Sequence, residues 1–120
     1  MIYTSYFGKR SNELMKPHVL CPICLYPPKG YLPNTYMPLA PTGQILWNYK
    51  HGGSWAEYEE AFNRDVLSKL DPKKVREDLN TISSGLDLVL FCYEKSDEHC
   101  HRRLVREWLN QNGIPCKELA

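Results

Sequence analysis

Apolar positions along the chain switch between two periods. Residues 2–5 and 18–25 are short apolar and β-branched runs that read as strands, the second stopping at Pro27-Pro28 because proline lacks a ladder donor and fixes its backbone angle. Between them the polar turn Gly8-Lys9-Arg10-Ser11 leads into a brief helical stretch over residues 12–16. Residues 28–41 hold Gly30, Pro33 and Pro38 with Tyr31 and Tyr36, and read as a loop long enough to act as a lid or cover. Helical spacing then takes over. Thr42 can cap a short helix through Leu46, Trp47 and Tyr49 that stops at His51-Gly52-Gly53. Ser54 with Glu57 makes a capping-box pair ahead of Trp55, Tyr58, Phe62, Val66 and Leu70. Asp71-Pro72 opens a third helix with Val75, Leu79 and Ile82, ended by Ser83-Ser84-Gly85. Residues 86–92 are the most strand-like run in the chain. The last helix, capped by Ser96 or Asp97, carries the stripe Leu104, Val105, Trp108 and Leu109 and stops at Gly113; residues 114–119 read as a final edge strand.

Strands alternating with helices predict an α/β fold: a small three-layer, Rossmann-like domain with a mostly parallel sheet of about four strands and right-handed crossovers. One domain is expected over residues 1–120, with no repeat and no linker. Composition adds exclusions. At 42% apolar and 24% charged residues the chain is ordinary globular protein, and its net charge of +1 does not indicate nucleic acid as a partner. No segment reaches membrane-spanning length and no secretory signal opens the chain. Five cysteines, an odd number without the spacing of a secreted disulfide framework, point to the reducing cytoplasm.

The candidate chemistry sits between residues 92 and 102, where two thiols, two imidazoles, three carboxylates and a guanidinium separate the carboxyl end of a strand from a helix. α/β proteins usually keep their sites there. Cys100 lies where backbone amides and the helix dipole stabilise a thiolate, with Arg102 and Arg103 beside it. Cys92 is the alternative nucleophile, with Glu94 or His101 as base. The sequence leaves the two open. It does exclude a tyrosine-phosphatase loop, which needs cysteine and arginine six positions apart, and it contains neither a P-loop nor a dinucleotide glycine fingerprint. His101 also shares a helical face with Leu104, Val105 and Trp108, so a core imidazole bonded to a carbonyl accounts for it equally well. Cys21 and Cys24, if both lie in a strand, are about 10 Å apart on opposite faces and cannot chelate one ion together. One of them can still join Cys92, Cys100 and His101 around zinc or iron. Cys116 reads as packing. Tyr31, Tyr36, Trp47 and Tyr49 are candidate stacking groups that serve equally as core or lid.

The segment Leu88-Val89-Leu90-Phe91-Cys92-Tyr93-Glu94, followed by Glu98-His99-Cys100-His101-Arg102 and Leu104, Val105, Glu107-Trp108-Leu109, resembles the signature of the family catalogued as domain of unknown function 488. The likeness extends to residues 2–7, 27–31 and 39–42 and to Leu46 and Tyr49-Lys50. Larger members carry Asp-Val-Arg at the end of the second strand, where this chain has Cys24-Leu25-Tyr26-Pro27, so it looks like the shorter prokaryotic or phage-type subgroup. The resemblance implies an α/β fold and a shared site on Cys92, Glu94, Cys100, His101 and Arg102. It supplies a site rather than a reaction. The expected scheme is an enzyme with a cleft between the first and third strands: Ser5, Tyr6, Lys9 and Arg10 line one wall, the Cys92 cluster the other, and a small anionic or nucleotide-like molecule is the ligand. Its rivals are a metal-binding or nucleic-acid-associated module using Cys92, Cys100 and His101, and a small phage-type interaction protein.

Overall fold

The computed structural model describes residues 1–6, 19–26, 35–92 and 100–119. Within them four strands, β1 (Ile2–Tyr6), β2 (Val19–Pro22), β3 (Leu88–Cys92) and β4 (Cys116–Glu118), form one sheet in the order β2-β3-β1-β4. Every pairing is parallel. Helices α1 (Gly43–Lys50), α2 (Trp55–Asp65) and α3 (Pro72–Ser83) connect β2 to β3, and α4 (His101–Gln111) connects β3 to β4. The expected helix over residues 12–16, the first part of the 28–41 loop, and Lys9, Arg10 and Glu94 fall outside the described residues.

Local chemistry starts and stops these elements. Thr42 accepts a hydrogen bond from the Ile45 amide, Ser54 and Glu57 complete a reciprocal capping box, and Asp71 accepts from Lys73 ahead of Pro72. Each cap stabilises its helix by about 1 kcal/mol. Gly53 is required by space, since a Cβ there would lie 2.7 Å from the Asn48 carbonyl oxygen. Gly113 takes φ +77° just past α4, the left-handed stop its position predicts.

All five residues of β3 are buried. Leu88 and Leu90 pack with Phe62, Val75, Leu79, Val105 and Leu109 in the main core. Val89 and Phe91, which alternate to the other face, are buried as well. Both faces are therefore covered, as a three-layer α/β fold requires. Strand order also creates a switch point. From β1 the chain goes to β2 beyond β3, and from β3 it goes to β4 beyond β1, so the adjacent carboxyl ends of β1 and β3 part in opposite directions. Register sets Tyr6 beside Cys92 at that point.

The structure corrects four sequence expectations. Val66 and Leu70 do not continue α2, which ends at Asp65 and gives way to a 3₁₀ turn over Leu67–Lys69; Pro72 disfavours helical backbone just before it, and Leu70 is extended. Leu86 is 60% exposed and precedes β3 rather than joining it. The α4 N-cap is Cys100 in extended conformation, not Ser96 or Asp97. Finally, the later part of the supposed lid is core. Tyr36, Leu39, Ala40 and Pro41 are buried, the Tyr36 amide donates to the Pro22 carbonyl at 3.0 Å, and its hydroxyl donates to Asp78 at 2.6 Å. Among the described residues no helix is long and apolar enough to cross a membrane.

Candidate functional site

At the switch point β3 ends in Cys92 and α4 begins after Cys100. Their sulfurs are in direct contact, paired as a disulfide, with the Cα atoms 7.8 Å apart. The ligating atoms of Cys92, Cys100 and His101 all lie within 4.8 Å of one another, and all three residues are buried. Cys24 completes a separate buried cluster with the two sulfurs. It gets there because β2 ends at Pro22 and residues 24–26 bend, so Cys21 stays in the main core while Cys24 turns toward Cys92. Cys21 and Cys24 thus lie in different clusters, though β2 ends before Cys24 and the two do not share one strand, and Cys24 packs against the sulfurs of Cys92 and Cys100.

His101 is fixed by the backbone of the same bend. Its Nε2 lies 2.6 Å from the Ile23 carbonyl oxygen, while the Ile23 amide donates to Phe91 at 3.0 Å. A carbonyl oxygen only accepts, so Nε2 carries the proton and Nδ1 keeps its lone pair. Burial holds the imidazole well below its usual value, at about 4, against the opposing Ile23 bond and with a smaller contribution from Arg102. At neutral pH His101 is an uncharged acceptor.

Arg102 is the largest fully buried side chain among the described residues, 1% exposed. Its Nη1 donates to Cys92 Sγ at 3.5 Å, and its ring-facing side lies 5.4 Å from the centroid of Tyr6. Glu118 on β4 holds the guanidinium through Nε at 3.2 Å to each carboxylate oxygen and through Nη2 at 3.0 Å. Thr4 Oγ1 donates to Glu118 at 2.6 Å, and Arg106 Nη1 reaches Thr4 at 3.0 Å and Glu118 at 3.3 Å. A cation buried this deeply persists only when paired and hydrogen-bonded. Glu118 and Thr4 therefore fix the direction in which Arg102 meets Cys92.

A cavity of about 290 Å³ opens on the cluster, lined by Cys24, Cys92, Cys100 and His101 together with Tyr26, Leu46, Tyr49, Lys50 and Tyr58. Larger surface hollows lie elsewhere; the one along α1 and α2 shares Tyr49 and Tyr58 with this cavity, but neither is lined by Cys24, Cys92, Cys100 or His101. Burial disfavours the thiolate form at the other three cysteines. Burial pushes Cys21 and Cys116 up to about 12 and Cys24 up to about 11.

The residue range 10–113 matches the family model described as "Active DUF488-N3 subclade". The chain belongs to this family. The DUF488 resemblance read from the Cys92 and Cys100-His101-Arg102 segments is thus shown over most of the chain. No curated protein and no solved structure matches it. Among the residues singled out from sequence in this DUF488 member, Cys92, Cys100, His101 and Arg102 converge, and Tyr6 joins them through Arg102. Ser5 points to the other face of β1, where its buried Oγ has no hydrogen-bond partner among the described residues. Glu118, Thr4, Arg106 and the Ile23 carbonyl were not singled out as parts of the site, and Cys24 was only one of two alternatives for a thiol joining it. Each acts across strands or over long sequence separations, and local spacing carries no signal of that.

Proposed function

We propose that this DUF488 protein is an enzyme in which the Cys92 thiolate is the nucleophile toward a small anionic or nucleotide-like substrate held in the adjoining cavity, bonding to its electrophilic atom as the bond from that atom to a leaving group breaks. The observation that carries the reading is the buried Arg102 guanidinium donating to Cys92 Sγ. A cation at hydrogen-bond distance favours the thiolate, the nucleophilic form, and Cys92 also sits at the strand end where α/β sites gather. The active form is the dithiol, with Cys92 reduced, which suits the reducing cytoplasm. His101 does not serve as an imidazolium partner, because its burial keeps it neutral. Its Nδ1 is an acceptor beside the sulfurs, and Glu94, two residues past Cys92, remains the sequence candidate for the stronger base. Lys50 at the rim supplies positive charge for the substrate, and Tyr26, Tyr49 and Tyr58 supply planar faces for a ring. The description of the subclade as "Active" agrees with turnover rather than a scaffold role.

The test is protection. Reduced protein is treated with iodoacetamide at neutral pH, with and without inorganic phosphate, ribose 5-phosphate and nucleoside monophosphates, and each cysteine is quantified by peptide mass spectrometry. Fast labelling confined to Cys92 or its neighbour Cys100, slowed by one of these anions and no longer slowed in Lys50→Ala, is the expected result. Uniformly slow labelling of all five thiols overturns the reading.

A further inference from the structure

We infer that the cavity cluster is also a soft-metal site: Cys24, Cys92, Cys100 and His101 bind one Zn²⁺, and binding reversibly silences the Cys92 nucleophile. The inference rests on the enzyme reading for its regulatory consequence but not for the site itself. Three soft donors lie within 4.8 Å of one another here, and Cys24 packs in the same buried cluster as the two sulfurs. Cys24 comes from the bend after β2, Cys92 from the end of β3, and Cys100 and His101 from the start of α4. Three thiolates and one imidazole are a common zinc donor set.

Geometry favours a metal over simple packing on three counts. First, a tetrahedral ion with Zn–S of about 2.3 Å and Zn–N of about 2.0–2.1 Å places its ligand atoms roughly 3.3–3.8 Å apart. The donor atoms of Cys92, Cys100 and His101 already lie within 4.8 Å. Second, once a dithiol reductant has cleaved the Cys92–Cys100 disulfide by two electrons, itself becoming a disulfide, both sulfurs are thiols on Cα atoms 7.8 Å apart, a spacing that two ligands of one ion tolerate. Third, the outer shell is built. The Ile23 carbonyl takes the Nε2 proton of His101 and leaves Nδ1 as the donor, while Arg102 donates to Cys92 Sγ and offsets thiolate charge. Such partners fix tautomer and ring orientation in metal sites. Three thiolates on a dication leave net negative charge, so the buried guanidinium is well placed. Binding releases the thiol protons to solvent, and affinity therefore rises with pH. With its sulfur ligated, Cys92 no longer attacks an electrophile.

Reduced, metal-free protein is titrated with Zn²⁺ against a chromophoric chelator, and separately with Co²⁺. One ion per chain is expected, with thiolate-to-cobalt charge-transfer absorption and the intense visible bands of a tetrahedral centre. Cys24→Ser should weaken Zn²⁺ binding by about tenfold or more. Cys116→Ser, a thiol on β4 outside the cluster, should leave it unchanged. Circular dichroism of the metal-free variants checks that each is folded; a Cys24→Ser chain that fails to fold is replaced by Cys24→Ala. Absence of one-to-one binding, or binding indifferent to Cys24, overturns the site. Iodoacetamide labelling of Cys92, run with and without one equivalent of Zn²⁺, separates the two readings. Fast labelling without metal and no Zn²⁺ binding removes the metal inference alone. Zn²⁺ binding with slow labelling in the metal-free state removes the enzyme reading alone, and with it the silencing.

Discussion

His101 carries the sharpest residue-scale consequence. Its folded value of about 4 lies below the ordinary value of 6.5, so the unfolded chain binds the extra proton between those two. Stability from this group is complete above about pH 6.5 and is lost as pH falls toward 4, by about 3 kcal/mol in all. Urea unfolding at a series of pH values should show that slope, and His101→Gln should flatten it; equal slopes in both proteins would contradict the buried neutral imidazole. The sequence allowed either a ligand or a core histidine here, because helical spacing places His101 with Leu104 and Val105 in both cases. What decides is the Ile23 carbonyl, 78 positions away. Cys24 shows the same limitation from the other side. Its placement opposite Cys21 followed from the rise of an ideal strand, and β2 in fact ends at Pro22, before Cys24.

At the scale of elements, helix starts with local caps were legible and the decisive one was not. Ser54 and Asp71 announce α2 and α3 through side chains bonding backbone two or three residues on. Among the described residues, α4 opens at Cys100 with no side-chain cap hydrogen bond, and its first two residues, His101 and Arg102, are buried. β4 was legible as an edge strand, yet its importance lies in one side chain. Glu118→Gln should cost about 2–3 kcal/mol in urea unfolding, since it leaves Arg102 buried without its carboxylate. Ser54→Ala, which removes a capping box on the surface, should cost about 1 kcal/mol. Similar small losses for both would mean that Glu118 does not hold Arg102 in place. The same Glu118→Gln variant should also slow Cys92 alkylation, which the Ser54→Ala variant should not.

For the whole molecule, alternation of strands and helices conveyed the parallel sheet, while the cavity beside Cys92 has no residue of β1 in its described lining. The cavity itself was not legible. It is assembled from the bend after β2, the inner side of α1 and the β3–α4 junction, and only tertiary packing sets their separation. Leu46→Trp should fill this space and abolish anion protection of the thiols while leaving the fold intact, as judged by circular dichroism. The topology also explains why Arg102 and Cys92 meet: β3 ends beside β1, and α4 then crosses toward β4, carrying Arg102 between Tyr6, Cys92 and Glu118. The central claim is that this convergence makes one thiol reactive. Site-resolved iodoacetamide rates at pH 7, in reduced metal-free wild type and in Arg102→Met, test it most directly. The account predicts Cys92 reacting on the order of a hundredfold faster than Cys21 and Cys116, with most of that advantage lost in Arg102→Met. Equal rates for the three thiols, or a Cys92 rate unchanged by removing the guanidinium, would contradict it.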